Sequence, residues 1–199
     1  MWARSLMCAW MGLCSAAFAQ VIEFESAGLK YQTLTRSGVT VMFAHMPASV
    51  REYSMLQVAI SNGSSTPCVI RPEQFQFSRT DSFAIDATPA RLVVGSLIDR
   101  GSRTDVIKLV STYELALYGL SRIRSTNGYE QRRQAALAEV SSTRLKAAAA
   151  ASAIALVETK LVPGQTTDGA VFFRTEGKPL GPGRLVVRTA FGTFEFNPE

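Results

Sequence analysis

The stretch that most constrains this chain is its last part, Leu161 to Phe196, reading LVPGQTTDGAVFFRTEGKPLGPGRLVVRTAFGTFEF. Pro163-Gly164 is a turn signal, because proline fixes φ and removes a backbone donor while glycine accepts positive φ. Asp168-Gly169 reads as a second turn before a strand. Ala170 to Arg174, with Phe172 and Phe173, then predicts a strand covered on both faces. Gly177-Lys178-Pro179 and Gly181-Pro182-Gly183 punctuate a stiff loop. Leu185, Val187 and Thr189 alternate with Val186 and Arg188, and Phe194 and Phe196 alternate around Glu195 after the Gly192-Thr193 turn, which is the period-two pattern of strands. A terminal pair of strands is marginal alone in water, so it must close a sheet begun far upstream.

Upstream segments supply that sheet. Val21 to Phe24 alternates and predicts a first strand. Tyr31 to Thr35, the turn at Arg36-Ser37-Gly38, and Val39 to Met46 predict a hairpin with Val39, Val41 and Phe43 on one face. Tyr53 to Ser61 is the clearest strand, with Leu56, Val58 and Ile60 pointing one way and Asn62-Gly63-Ser64-Ser65 ending it. After Pro67 come Cys68-Val69-Ile70 and then Phe75 and Phe77 in alternation. The pattern predicts a mainly β fold with an α insertion, built on an antiparallel β-sandwich of about seven strands.

The middle of the chain has helical spacing instead. Thr88-Pro89 predicts a helix start, with Thr88 as N-cap and Pro89 in the first turn, and Leu92, Val93, Ser96 and Leu97 on one face until Gly101. A second helix is expected from Thr104-Asp105 through Val106, Leu109, Val110, Tyr113, Leu117 and Leu120. Asn127-Gly128 breaks the chain. From Tyr129 a third and longest helix is expected through Leu137, Val140 and Leu145 into AAAAASAIAL, ending near Leu156. The result is a helical insertion at about 88–158 within a single domain spanning 20–199. The alanine run is too short to cross a bilayer, which takes about twenty residues, so it reads as a buried helix. The alternative is a membrane-surface or partner-binding helix, since Arg132, Arg133, Arg144 and Lys146 interleave with Glu130 and Glu139.

Met1 to Ala19 has one positive charge, Arg4, an apolar core from Leu6 to Phe18, and Ala17-Phe18-Ala19 before Gln20. These are the three regions of a secretory signal peptide cleaved after Ala19, which predicts a periplasmic or extracellular protein. Cys14 follows Leu13, a larger residue than lipoprotein processing uses. Of three cysteines, Cys8 and Cys14 lie in this leader and Cys68 remains alone, so no internal disulfide forms. Cys68 beside Val69 and Ile70 reads as a small core residue, with a reactive thiol as the alternative. The formal charge of +5 falls by one when Arg4 leaves, a mild and dispersed bias that argues against a nucleic-acid surface.

Chemistry-bearing motifs are sparse. His45 is the single histidine, in phase with Val39, Val41 and Phe43, which suits a tucked or edge position rather than a ligand. Gly63-Ser64 and Gly95-Ser96 lack the frame of a nucleophile elbow. Asp81 with Asp86, and Asp99 with Asp105, read as acids flanking turns and helix starts. Asn62-Gly63-Ser64 matches a glycosylation sequon but reads as a turn. No catalytic, cofactor-binding or metal-ligating residue is assigned.

The blocks LQVAISNGSSTPCVI with QFQF, and PGQTTDGAVFF with GRLVVRTAFGTFEF, resemble the immunoglobulin-like β-sandwich domains of exported bacterial proteins of unknown function. The resemblance implies a scaffold or adhesion role and no named active residues. The expected function is a non-enzymatic binding or structural protein of the cell envelope, whose partner is another envelope protein or component. The alternatives are a peripheral lipid-binding protein acting through the alanine-rich helix, and a hydrolase built on acids such as Asp99 or Asp168.

Overall fold

The computed structural model describes residues 20–80, 83–119, 125–138 and 141–197. The leader with Cys8 and Cys14, and also Asp81, Leu120, Glu139 and Val140, lie outside the described residues. Among the described residues, eleven strands and four α-helices follow one another as β1 (Ile22–Ser26), β2 (Leu29–Arg36), β3 (Val39–His45), β4 (Tyr53–Asn62), β5 (Cys68–Ile70), β6 (Phe75–Arg79), β7 (Ala84–Asp86), α1 (Ala90–Arg100), α2 (Arg103–Gly119), α3 (Tyr129–Ala138), α4 (Thr143–Ile154), β8 (Thr159–Leu161), β9 (Thr166–Arg174), β10 (Gly183–Thr189) and β11 (Gly192–Phe196). The fold is mainly β, with antiparallel sheets and the helices gathered between β7 and β8.

The central layer is a five-stranded sheet in the order β1-β2-β3-β4-β9. All but one residue of β4 are buried, because β4 is covered on both faces and the period-two rule then sorts its side chains between two cores. Leu56, Val58 and Ile60 join Phe75, Phe77, Leu185, Val187, Phe194 and Phe196 from a four-stranded sheet ordered β11-β10-β6-β7. Cys68, Ile70 and Leu161 of the small β5-β8 pair complete this core. Tyr53, Met55 and Ala59 face the other way, onto Val93, Leu97, Leu109, Tyr113 and the alanines of α4. The helices are therefore a third layer on the back of the sheet, and the terminal strands β10 and β11 close the front with β6 and β7.

α4 packs against α1, α2 and α3 and buries Ala147, Ala148, Ala150, Ala151, Ala153 and Ile154. Alanine suits that place, since it has the highest helix propensity and a side chain small enough for close neighbours on several sides. The expected single helix from Tyr129 to Leu156 is instead two. Ser142 is extended as the N-cap of α4, and the hydroxyl run Ser141-Ser142-Thr143 favours an interruption because such side chains compete for backbone groups. Among the described residues the longest helix is α2.

Other expectations also shift. Pro89, not Thr88, occupies the N-cap position of α1, because the Thr88 N–H donates to the Phe172 carbonyl at 2.7 Å and holds Thr88 to the sheet. α2 starts one residue earlier than expected, after Ser102. The Ser102 N–H and hydroxyl both donate to Asp105 Oδ2 at 2.8 Å, and the Asp105 N–H donates to Ser102 Oγ, which is a reciprocal cap. Asp99 is exposed in the last turn of α1 rather than at a helix start, and Asp86 sits within β7, accepting from Gln76 Nε2 at 2.7 Å. Asp168-Gly169 is no turn: both residues lie inside β9.

Candidate functional site

The sheet edges differ in how they are finished. β9 is the last strand on one side, and its outward carbonyls at Thr166, Asp168, Ala170 and Phe172 are engaged by segments that flank the helices. Thr126 N–H donates to Thr166 O at 2.8 Å, Leu156 N–H to Ala170 O at 2.9 Å and Thr88 N–H to Phe172 O at 2.7 Å. Asn127 Nδ2 donates to Asp168 O at 2.8 Å. An edge sealed in this way offers no template to another chain.

β1 ends the sheet on the other side and pairs with β2 alone among the described residues. Four of its five residues are exposed, including Ile22 at 61% and Phe24 at 38%. Phe24 stacks on Tyr31 with ring centroids 5.2 Å apart, so the apolar face of β1 continues the core outward to solvent. A shallow groove of about 180 Å³ runs along Phe24, Glu25, Lys30 and Tyr31. It meets a larger groove of about 490 Å³ at the end of the sheet stack through the shared Lys30 and Gln32.

His45 lines that larger groove with Phe43, Leu180 and the proline-rich 179–183 loop. Its ring meets Phe43 at 5.8 Å and Phe77 at 5.6 Å, both edge-on, and the desolvation these neighbours impose holds its pKa below the usual imidazole value. The residue is nonetheless exposed at the end of β3. Ser54, in the same groove, donates to Lys178 O at 2.8 Å and is bonded to Thr175 Oγ1 at 2.9 Å, so its hydroxyl is a structural bracket. Cys68 is buried and free, and burial pushes its thiol up, away from reactivity. Asn62 is fully buried. Its amide donates to Thr66 O at 2.9 Å and Leu161 O at 3.0 Å, which places it as a bracket between β4 and β8, with no face for a glycan.

Asp168 reads in the sequence as a turn residue and as one candidate acid of a hydrolase, yet it is 2% exposed at the interface of sheet and helices. Tyr113 donates to Oδ2 at 2.5 Å, Gln57 Nε2 to Oδ2 at 3.1 Å and Asn127 Nδ2 to Oδ1 at 2.7 Å. Asn127 Oδ1 in turn accepts from the Tyr129 N–H at 2.9 Å and starts α3. One carboxylate thus ties β4, α2 and the α3 entry to β9. Among the described residues no group of three or more His, Cys, Asp and Glu side chains is arranged to hold a metal ion.

Three tyrosines in this layer are pushed above the ordinary phenol range. Burial raises Tyr31 to about 12. Burial first, and then the Asp168 charge, raise Tyr113; burial first, and then the Glu114 charge, raise Tyr129. A phenol whose folded pKa exceeds its unfolded value of about 10 keeps its full contribution to stability below pH 10 and loses it as pH rises further. An alkaline titration is therefore expected to show these phenolates appearing together with the loss of near-ultraviolet circular dichroism. Ionisation of all three ahead of unfolding would contradict their burial.

No protein-family model matches the chain, and no curated protein does. Among solved structures, that of the yjhA protein from Bacillus subtilis is similar with a TM-score of 0.38 and 8% identity, over 89% of this chain and 96% of that one, a likeness too slight to carry an argument.

Proposed function

We propose that this chain is an exported, non-enzymatic binding or structural protein of the bacterial cell envelope that engages its partner at the β1 edge. The observation that carries the reading is the contrast between the two edges of the central sheet. Four donors close β9, while β1 carries exposed Ile22 and Phe24 and, among the described residues, pairs with β2 alone. Natural sheets protect long apolar edges, so an edge left open while its counterpart is sealed is a candidate for strand addition. Export rests on the Met1 to Ala19 leader, and the two facing β layers are read as an immunoglobulin-like sandwich whose back carries the helices.

The alternatives have less support. A lipid-binding role for the alanine-rich segment would need its alanines exposed, and α4 buries most of them. Among the described residues no helix is long and apolar enough to cross a membrane. A hydrolase using Asp168 would have to recruit a carboxylate already engaged by three side-chain donors.

A photo-crosslinking residue placed at Ile22 in the full chain, expressed in its native host, is expected to give one discrete adduct with an envelope component. The same residue at Ile107, exposed on α2, is expected to give none. Adducts at Ile107 alone would move the interaction to the helical layer, and no adduct at either position would remove the binding role.

A further inference from the structure

We infer that the β1 edge takes an extended peptide segment in which basic and apolar side chains alternate. The inference rests on the binding role proposed above and names the chemistry of the partner. The register of β1 with β2 pairs Ile22 with Thr33, Phe24 with Tyr31 and Ser26 with Leu29, and it pairs Glu23 with Gln32 and Glu25 with Lys30. Side chains alternate across a strand, so Ile22 and Phe24 share the helix-side face with Tyr31, while Glu23 and Glu25 share the opposite one. A strand added outside β1 would meet an apolar ledge on one face and, on the other, Glu23, which accepts from Gln32 Nε2, and Glu25, which lies opposite Lys30. Directly opposed side chains in a sheet interact most strongly when apolar meets apolar and opposite charges meet. Lysine or arginine at alternate positions, with apolar residues between them, satisfies both faces at once.

The same pattern disfavours a second copy of this chain as the occupant. Apolar residues hold the even positions of β1 and acids the odd ones. Every antiparallel register that keeps matching faces together and pairs three or more residues of each β1 therefore opposes Glu23 or Glu25 to Glu23 or Glu25 of the other copy. Like charges directly opposite destabilise a strand pair. Nor is the preference a matter of overall charge. The chain carries a formal excess of positive charge, which repels a basic peptide at long range, so attraction must come from the local carboxylates.

The test uses the chain from Gln20 onward and three end-blocked, fluorescent heptapeptides that alternate valine with lysine, with serine or with glutamate. Anisotropy at low salt is expected to show the lysine peptide binding at least tenfold tighter than the glutamate peptide. The gap should narrow at high salt, and the amides of β1 should gain exchange protection in the complex. Glu25 is exposed, so E25K is expected to keep the fold, with unchanged exchange in β4, and to reverse the order of the peptides. Equal binding of all three peptides, a preference for glutamate, protection elsewhere than β1, or no binding of any peptide overturns the proposal. So does self-association through β1 in the absence of peptide. Crosslinking at Ile22 is scored independently. Adducts there without a lysine preference would leave the binding role standing and discard the basic partner. A lysine preference without adducts would leave the edge chemistry standing and discard the envelope partner.

Discussion

Replacing Asp168 by alanine is expected to lower the unfolding free energy by about 3–5 kcal/mol, since two buried donors and a half-buried one lose their acceptor at once and each unsatisfied buried group costs about 1–3 kcal/mol. The donors are Tyr113, Gln57 and Asn127, and the first two are fully buried. Asn127 also starts α3 through the Tyr129 N–H and closes the β9 edge through the Asp168 carbonyl, so the damage should spread to the helical layer. D168N keeps one carbonyl oxygen and turns the other position into a donor facing donors, which should cost about 2 kcal/mol. Urea denaturation gives the two losses, and hydrogen exchange locates them. α2 and α3 should lose protection before β6 and β10, which belong to the other core. A loss below about 1 kcal/mol for D168A, or one spread evenly over both cores, would mean that Asp168 does not tie the layers together.

What the sequence disclosed and what it hid divide along physical lines. The paths of β2, β3, β4, β10 and β11 were readable because each carries a period-two pattern of apolar residues, and Leu56, Val58 and Ile60 marked the face that meets the terminal strands. β7 and β8 were not readable. Each is three residues long, too short for alternation to register, and each exists because a longer neighbour supplies a partner. The break between α3 and α4 was written in Ser141-Ser142-Thr143 but masked by strong helix formers on both sides. Asp168-Gly169 was misread because an aspartate and a glycine together are ordinary turn chemistry. Their reason for being in β9 is nonlocal, a buried carboxylate answering α2 and a missing side chain that admits the 155–156 segment. The open β1 edge was half legible: Val21 to Phe24 announced a strand, but nothing local could say that the opposite edge would be sealed by residues as distant as Thr88, Asn127 and Leu156.

Gly169→Ala is expected to cost about 3 kcal/mol and to open the sealed edge of the central sheet. A Cβ at this position would lie 2.5 Å from both the Cα and the N of Leu156. These are backbone atoms, so no rotamer change relieves the overlap, and forced overpacking of this kind costs about 1–3 kcal/mol or more. The backbone that must move carries the Leu156 N–H bond to Ala170 O, at 2.9 Å, and follows the last turn of α4 through the Ala155 N–H bond to Ala151 O, at 3.1 Å. Loss of protection should therefore appear at β9 and the end of α4 together. Gly95→Ala is the matched control. Gly95 lies within α1, and a Cβ there meets nothing within 4 Å, so the change should raise stability by about 0.5–1 kcal/mol through helix propensity and a less flexible unfolded chain. With β9 loosened, G169A should also acquire what the parent chain lacks on that side, a second edge open to strand addition. Concentration-dependent association in G169A but not in G95A would show that the seal keeps this sheet from pairing there. A monomeric G169A with intact β9 protection would show that the 155–156 segment is not what holds the edge closed.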